Sequence, residues 1–314
     1  MRVALIHNPG AGDRETGEML HLTRLIAAEG HEITREVYDA DEWDEAIASP
    51  VDVVVVAGGD GTVGKVARRL AGRGVALSFL PVGTANNIAR TFGVADMALD
   101  DVVRGWRAPR TYDVDVGYID GPWGARRFVE AVGAGLFART MAAMDAVDAL
   151  EEVDDTEEKL ARTFEILAGR LERLRPTPMK LTVDGRDLSG EYLMLEVMNL
   201  RFVGPNLCVA PRSDPFDGLL DVTPIPESRR AELLRYLEAG WRESACAPDL
   251  GCVRGRVVTL EGAGFVLHVD DETWPPDGAV VPEGGARFTV KVEPGALKVM
   301  VPAGAARGVT TPRP

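Results

Sequence analysis

The chain has 314 residues, 46% of them hydrophobic, and a formal net charge of −14. Its length favours two domains, and its composition is that of a globular protein, not a disordered one. The acidic balance excludes nucleic acid, whose phosphates want a basic face, and excludes a general attraction to anionic lipid, while leaving room for a local basic docking patch.

In chain order, the first third alternates strand and helix. Val3–His7 is an apolar run ending in the turn Asn8-Pro9-Gly10-Ala11-Gly12. Leu20, Leu22, Leu25 and Ile26 give Glu18–Glu29 helical spacing, and Glu32–Tyr38 is a predicted strand. Asp44–Ala48 predicts a short helix, and the Val-rich run Val51–Ala57 a strand covered on both faces. Thr62–Leu70 is a predicted helix, Val75–Pro81 a strand, and Ala85–Thr91 opens another helix. Such alternation implies a parallel sheet with ligand loops at the carboxyl ends of its strands.

After Asp113 the pattern changes to short strands with turn residues between them: Val114–Ile119, Phe128–Val132, Lys180–Val183, Tyr192–Met198, Leu220–Pro224, Val257–Glu261, Phe265–Val269, Arg287–Val292 and Leu297–Val301. That is an antiparallel, sandwich-like pattern. A helical segment, Ala138–Leu174, interrupts it, and its acidic cluster from Asp145 to Glu158 reads as a solvated face. Glu227–Glu243 is a second helix. The expected fold is α/β plus β. An N-terminal Rossmann-like parallel-sheet domain (residues 1–117) precedes a β-sandwich domain with a helical insertion (118–303) and a loose tail (304–314).

The segment from Gly58 to Val66 fits three phosphate motifs. Gly59-Asp60-Gly61-Thr62-Val63-Gly64 is a GxGxxG, but it follows a later strand, and the next strand ends Leu80-Pro81 with no acidic residue for a ribose. A P-loop fits only as far as Lys65, because Val66 has no hydroxyl for magnesium. Gly58-Gly59-Asp60-Gly61-Thr62 uses all five of its residues. Consecutive glycines admit a polyphosphate to the backbone N–H groups, and the following helix points its positive end at the same charge. A carboxylate at Asp60 beside phosphate oxygens implies a divalent metal between them. A tight turn with a capping Asp and Thr is the plainer alternative. A plain turn explains Asn8–Gly12 equally well, and an N-cap by Thr84 or Asn86 explains Pro81-Val82-Gly83-Thr84-Ala85-Asn86-Asn87.

Taken in order, these three loops resemble the diacylglycerol kinase catalytic-domain family, which includes bacterial soluble lipid kinases, sphingosine kinases and ceramide kinases. The resemblance continues at Asp115-Val116-Gly117, at Asp217-Gly218-Leu219-Leu220-Asp221 and at Asp270-Asp271-Glu272. It implies an ATP- and Mg²⁺-dependent lipid kinase with ATP in the cleft between the two domains. Asn8, Pro9, Gly10, Gly12, Gly58–Thr62, Gly83, Thr84 and Asn86 would line the nucleotide. Asp60 and Asp115 would hold the catalytic Mg²⁺ through water, and Asp217 with the Leu219 carbonyl a structural one. Glu272 would be the general base that deprotonates a lipid hydroxyl. Crowding among Asp270, Asp271 and Glu272 would favour that role, whereas without the family an exposed acidic turn explains them as well, and a turn between strands explains Asp217. Departures from the family pattern are Asn87 for an Asp, Gly64-Lys65 for Asn-Glu, and Asp271 for a Gly.

The expected partners are a lipid with a free hydroxyl and, transiently, a membrane surface; a homodimer stays open. Apolar stretches that could meet an acyl chain are Val132–Leu136, Leu193–Leu200 and Leu207–Val209, each equally explained as core. Arg126, Arg127, Arg139, Arg229 and Arg230 could face headgroups. No apolar run approaches the ~18 residues of a spanning helix, and Met1–Pro9 lacks the layout of a signal peptide. Cys208, Cys246 and Cys252 read as reduced, mostly buried thiols of a cytoplasmic protein, and the resemblance to lipid kinases implies that it is peripheral at the inner membrane surface when acting. The rival classes are an NAD kinase, which shares GGDGT, and a degenerate kinase fold that senses ATP or lipid without turnover.

Overall fold

The structure is a computed structural model that describes residues 1–7, 15–145, 155–243, 250–264, 266–276 and 284–305. It divides into unit 1, Met1–Val116 with Pro294–Pro314, and unit 2, Gly117–Glu293.

Unit 1 runs β1 (Arg2–His7), α1 (Glu15–Ala28), β2 (Glu32–Val37), α2 (Trp43–Ala48), β3 (Val53–Gly58), α3 (Asp60–Leu70), β4 (Ala76–Pro81), α4 (Asn87–Thr91) and α5 (Leu99–Gly105), then enters β5 (Arg110–Gly121). The four strands are parallel in the order β4-β3-β1-β2. All six residues of β3 are buried, as its valine run requires of a strand covered on both faces. On α3, Val63, Val66, Ala67 and Leu70 face inward at helical spacing, and Arg68 and Arg69 close the last turn against the helix dipole. The chain leaves β1 toward β2 on one side, while β3 lies on the other. The carboxyl ends of β1 and β3 therefore flank the topological switch point, where open parallel sheets bind ligands.

Unit 2 continues with β6 (Gly124–Phe128), β7 (Ala131–Gly135), α6 (Leu136–Asp145), α7 (Thr156–Leu171), β8 (Thr177–Val183), β9 (Arg186–Asp187), β10 (Gly190–Met198), β11 (Phe202–Val203), β12 (Leu207–Cys208), β13 (Leu220–Pro226), α8 (Arg230–Glu243), β14 (Val253–Gly255), β15 (Val257–Gly262), β16 (Leu267–Val269), β17 (Glu272–Trp274) and β18 (Ala286–Val301). Its pairings are antiparallel: β17-β16-β7-β10-β13-β14 in one run, and β8-β15-β18 in another. Val132, Leu195, Val197, Leu260, Phe288 and Val290, drawn from both runs, meet in one apolar core. The opposite face of the first run packs on the helices through Phe137, Phe164, Met194 and Leu237. Asp155 caps α7 by accepting the Glu158 N–H at 2.8 Å, so this end of the acidic cluster has a structural role. Residues 146–154 of that cluster lie outside the described residues.

Three features differ from the sequence pattern. The expected strand Phe128–Val132 is broken between β6 and β7, because a side chain described below takes the backbone N–H groups there. The two expected strands Arg287–Val292 and Leu297–Val301 are one, β18. Its first half pairs with β15 in unit 2, and Lys298 and Val299 pair with β4 in unit 1. Residues from Pro294 onward thus belong with unit 1.

Candidate active site

In unit 1 the loops after β3 and β4 lock into each other. Gly58 lies under Thr62, whose Cβ would stand 3.0 Å from any Cβ at residue 58. Gly59 faces Gly83, and a Cβ on Gly83 would come within 2.2 Å of the Gly59 Cα, closer than real atoms approach. Asp60, first residue of α3, reaches the other loop. Its carboxylate accepts the Asn87 N–H at 2.8 Å and the Ile88 N–H at 2.9 Å, the first amides of α4, which have no partner one turn back in their own helix. Asn86, in the left-handed region at φ 52°, closes the loop on itself: it accepts the Gly83 N–H at 3.1 Å and donates to the Gly83 carbonyl at 2.8 Å. The Gly83 N–H is therefore spent within the loop, and Asn86 braces it. Thr84 stays exposed. The first bond of the α3 ladder runs from the Val63 N–H to the Gly59 carbonyl, so the Gly61 and Thr62 amides precede it at the positive end of the helix.

The other residues singled out in unit 1 fall as follows. Asp115 is buried on β5 and accepts the Gly295 N–H at 2.8 Å. Asn87 is buried, and Lys65 is half-buried on α3. Asn8, Pro9, Gly10 and Gly12 lie outside the described residues. Just before them, His7 is buried, stacks on Tyr38 with ring centroids 4.3 Å apart, and meets Glu36 at 3.0 Å.

In unit 2 the carboxylates of Asp270 and Glu272 part company instead of crowding. Asp270 turns inward at φ 52°, and its carboxylate accepts the N–H groups of Val129 at 3.0 Å and Glu130 at 2.8 Å. This is what breaks the expected strand there. Asp271 is exposed, and Glu272 opens β17, partly exposed and ion-paired with Arg126 at 2.5 Å. Asp217 accepts the Leu219 N–H at 3.0 Å and pairs with Arg254, which also lies 3.3 Å from buried Asp221. Burial raises the Asp221 carboxyl, opposed by the Cys252 thiol and the Arg254 charge. Cys252 is exposed as a residue, yet desolvation around its sulfur and the neighbouring Asp221 push the thiol up to about 12.

In this structure the Asp217 carboxylate is engaged by the Arg254 guanidinium and by the Leu219 N–H. Arg254 gives no signal in the sequence, because the β13–β14 register alone, with Asp221 opposite Arg254, brings it there. Asp60 and Asp115 are carboxylates, the donor type that Mg²⁺ takes, and Mg²⁺ is ordinarily held by one or two carboxylates plus phosphates and water. Among the described residues, no group of three or more His, Cys, Asp or Glu could hold a metal unaided.

The arginines considered for headgroups are engaged locally: Arg127 with Glu293, Arg139 with Thr177, Arg229 with Glu232 and Arg230 with Glu227. The stretches Val132–Leu136, Leu193–Leu200 and Leu207–Val209 are core. Among the described residues no helix is long and apolar enough to cross a membrane.

Comparison with known proteins gives two family matches. Residues 2–119 match the diacylglycerol kinase catalytic domain, and residues 131–301 match the YegS C-terminal NAD kinase beta sandwich-like domain. A diacylglycerol kinase of Mycobacterium tuberculosis is 30% identical over 239 residues, covering 72% of each chain. A "Probable lipid kinase YegS-like" of Pseudomonas aeruginosa is 28% identical over 324 residues, covering 96% of this chain and 94% of that one. Among solved structures, a diacylglycerol kinase from Bacillus anthracis superposes with a TM-score of 0.71 at 19% identity, covering 97% of this chain and 98% of that one. An NAD kinase from Archaeoglobus fulgidus in complex with ATP superposes with a TM-score of 0.56 at 10% identity, covering 98% and 97%; it shares the fold alone.

Proposed function

Because the chain belongs to the diacylglycerol kinase catalytic-domain family, phosphotransferases with an alcohol acceptor, we propose that it passes the γ-phosphoryl group of ATP to the hydroxyl of diacylglycerol or a related lipid. The observation that carries the proposal is the interlock of Gly59 on Gly83 and of Asp60 on the Asn87 and Ile88 amides. It makes a rigid pair of loops at the carboxyl ends of β3 and β4, beside the switch point of a parallel sheet.

Unit 1 binds the nucleotide. The Gly61 and Thr62 amides and the Thr84 hydroxyl donate to phosphate oxygens, and Gly58 and Gly59 let the backbone come close. Asn86 holds the second loop in place. Mg²⁺, when bound, would neutralise phosphate charge, and Asp60 and Asp115 are the residues that would hold it. Lys65 adds positive charge near the phosphates where Asn87 has replaced a carboxylate. Asn8, Pro9, Gly10 and Gly12 complete the phosphate lining in this proposal.

Unit 2 supplies Glu272 as general base. Its carboxylate takes the proton of the lipid hydroxyl as the hydroxyl oxygen attacks the γ-phosphorus and the bond from that phosphorus to ADP breaks, with ADP leaving; Arg126 holds the carboxylate in one orientation until then. The lipid is met at a membrane surface by a protein that does not need to cross it. The NAD kinase neighbour shares only the fold, and nothing in either loop favours a dinucleotide acceptor.

The test is steady-state phosphorylation of diacylglycerol in mixed micelles by the wild type and by Glu272→Gln. Loss of the base lowers kcat by about 10²-fold or more, with ATP affinity unchanged. A Glu272→Gln enzyme with wild-type kcat would remove Glu272 from the chemistry, and a wild type that labels no lipid at all would remove the acceptor.

A further inference from the structure

A charged row lies buried on the helix-covered face of unit 2. In register across three strands stand His268 of β16, Gly133 of β7 and Glu196 of β10. Gly133 has no side chain, so the imidazole and the carboxylate meet over it: His268 Nε2 lies 2.7 Å from Glu196 Oε2, with both side chains fully buried. A Cβ at residue 133 would sit 2.1 Å from that same oxygen. The glycine is thus required by the pair, not by a turn. Phe137 of α6 seals the imidazole edge-on at a centroid distance of 4.8 Å.

The second ring nitrogen, Nδ1, lies 3.2 Å from the Asp270 carbonyl. The carbonyl can only accept, so Nδ1 carries a proton and donates to it. Burying a polar pair is costly, and an apolar pair of similar volume would serve stability equally well. What the pair does that an apolar pair cannot is grip a particular carbonyl. Asp270 is then held from two sides: its carbonyl by His268, and its carboxylate by the Val129 and Glu130 amides. Its own N–H completes the hold on the Ala131 carbonyl at 2.9 Å. Two residues later comes Glu272, which pairs with Val269 across the turn.

We propose that the buried His268–Glu196 pair, passing over Gly133, is a positioning device that fixes the Asp270–Asp271 turn and thereby the place of the Glu272 carboxylate. The proposal rests on the assignment of Glu272 as base. Neither His268 nor Glu196 touches substrate; both act through the turn. Variants of the pair should therefore lose kcat and leave nucleotide binding intact, since a misplacement of about 1 Å costs on the order of 10²-fold in rate.

The experiment is a double-mutant cycle, read as phosphorylation of diacylglycerol micelles with labelled ATP. Glu196→Leu and Gly133→Ala are expected to lower kcat by about 10- to 100-fold, with KM for ATP within about twofold. Glu196→Gln, which keeps an oxygen for the Nε2–H, should recover a large part of that loss. In a Glu272→Gln background the same changes should cost nothing further, because the carboxylate they position is gone. A full additional loss in that background, or a loss confined to KM for ATP, would overturn the proposal. Should Glu196→Leu or Gly133→Ala fail to fold, the isosteric Glu196→Gln carries the cycle: its smaller loss should vanish in the Glu272→Gln background, and a loss additive with Glu272→Gln overturns the proposal equally. A wild-type kcat in the single variant Glu272→Gln would instead remove the base assignment and this proposal together, an outcome recognisable from that variant alone.

Discussion

Replacing Asp60 by alanine removes the acceptor for two backbone N–H groups, those of Asn87 and Ile88. Both residues are almost fully buried, so water does not readily take the place of the carboxylate. Leaving a buried donor unpaired costs about 1–3 kcal/mol, and the two together about 2–4 kcal/mol once the partial exposure of Asp60 is allowed for. For a unit of this size each kcal/mol moves Tm by about 2–4 °C, which gives a fall of roughly 5–15 °C. Asp60→Asn keeps one oxygen and turns an NH2 toward the second donor, so it should lie between wild type and alanine. The assay is thermal unfolding followed by circular dichroism without ligand, with hydrogen exchange read at the Asn87 and Ile88 amides. An Asp60→Ala protein that melts with the wild type and protects both amides equally would refute the interlock of the two loops, whatever its activity.

Gly83→Ala places a Cβ 2.2 Å from the Gly59 Cα, and overpacking of this kind costs about 1–3 kcal/mol. It should weaken ATP binding measured by titration calorimetry, and unchanged affinity would show that the loops do not abut. Burial alone would lower the His268 pKa, but the facing Glu196 carboxylate and the Asp270 carbonyl raise it above 6.5. A raised value means that the pair's stabilisation is whole below pH 6.5 and is lost as pH climbs through the native value. Urea unfolding across that window should show a decline that Glu196→Leu flattens; equal slopes in both proteins would contradict the pairing. Cys252, with its thiol pushed up to about 12, should resist maleimide at pH 8, and rapid labelling of its peptide in the mass spectrum would argue against that environment. Arg254→Ala leaves Asp217 and Asp221 without their cation and, with Arg254 partly exposed, should cost about 1–2 kcal/mol; an unchanged urea midpoint would refute the pair.

Much of unit 1 was legible because its signals are local. The valine run of β3, the spacing of α3 and the glycines after β3 and β4 each report on a few consecutive residues. What was not legible is what those loops do to each other. The contact of Gly59 with Gly83 and the reach of Asp60 to Asn87 span more than twenty residues and depend on the parallel register of β3 and β4. The acidic run Asp270–Glu272 looks like one charged cluster in sequence, yet the alternation of a tight turn sends Asp270 inward and leaves Glu272 to Arg126. Glu196 and His268 are hidden for the same reason: each stands among apolar neighbours in a buried strand, and only the glycine opposite, on a third strand, lets them pair. The return of β18 to unit 1 is likewise set by a strand partner, β4, far away in the chain.

Incubating the protein with Mg²⁺, γ-labelled ATP and a total lipid extract, then identifying the labelled product, tests lipid phosphorylation most directly. The expected result is label on a single class of lipid bearing a new phosphomonoester, with diacylglycerol added alone sufficient to reproduce it. Label on NAD and none on lipid, or tight ATP binding with no transfer to any lipid, would contradict it.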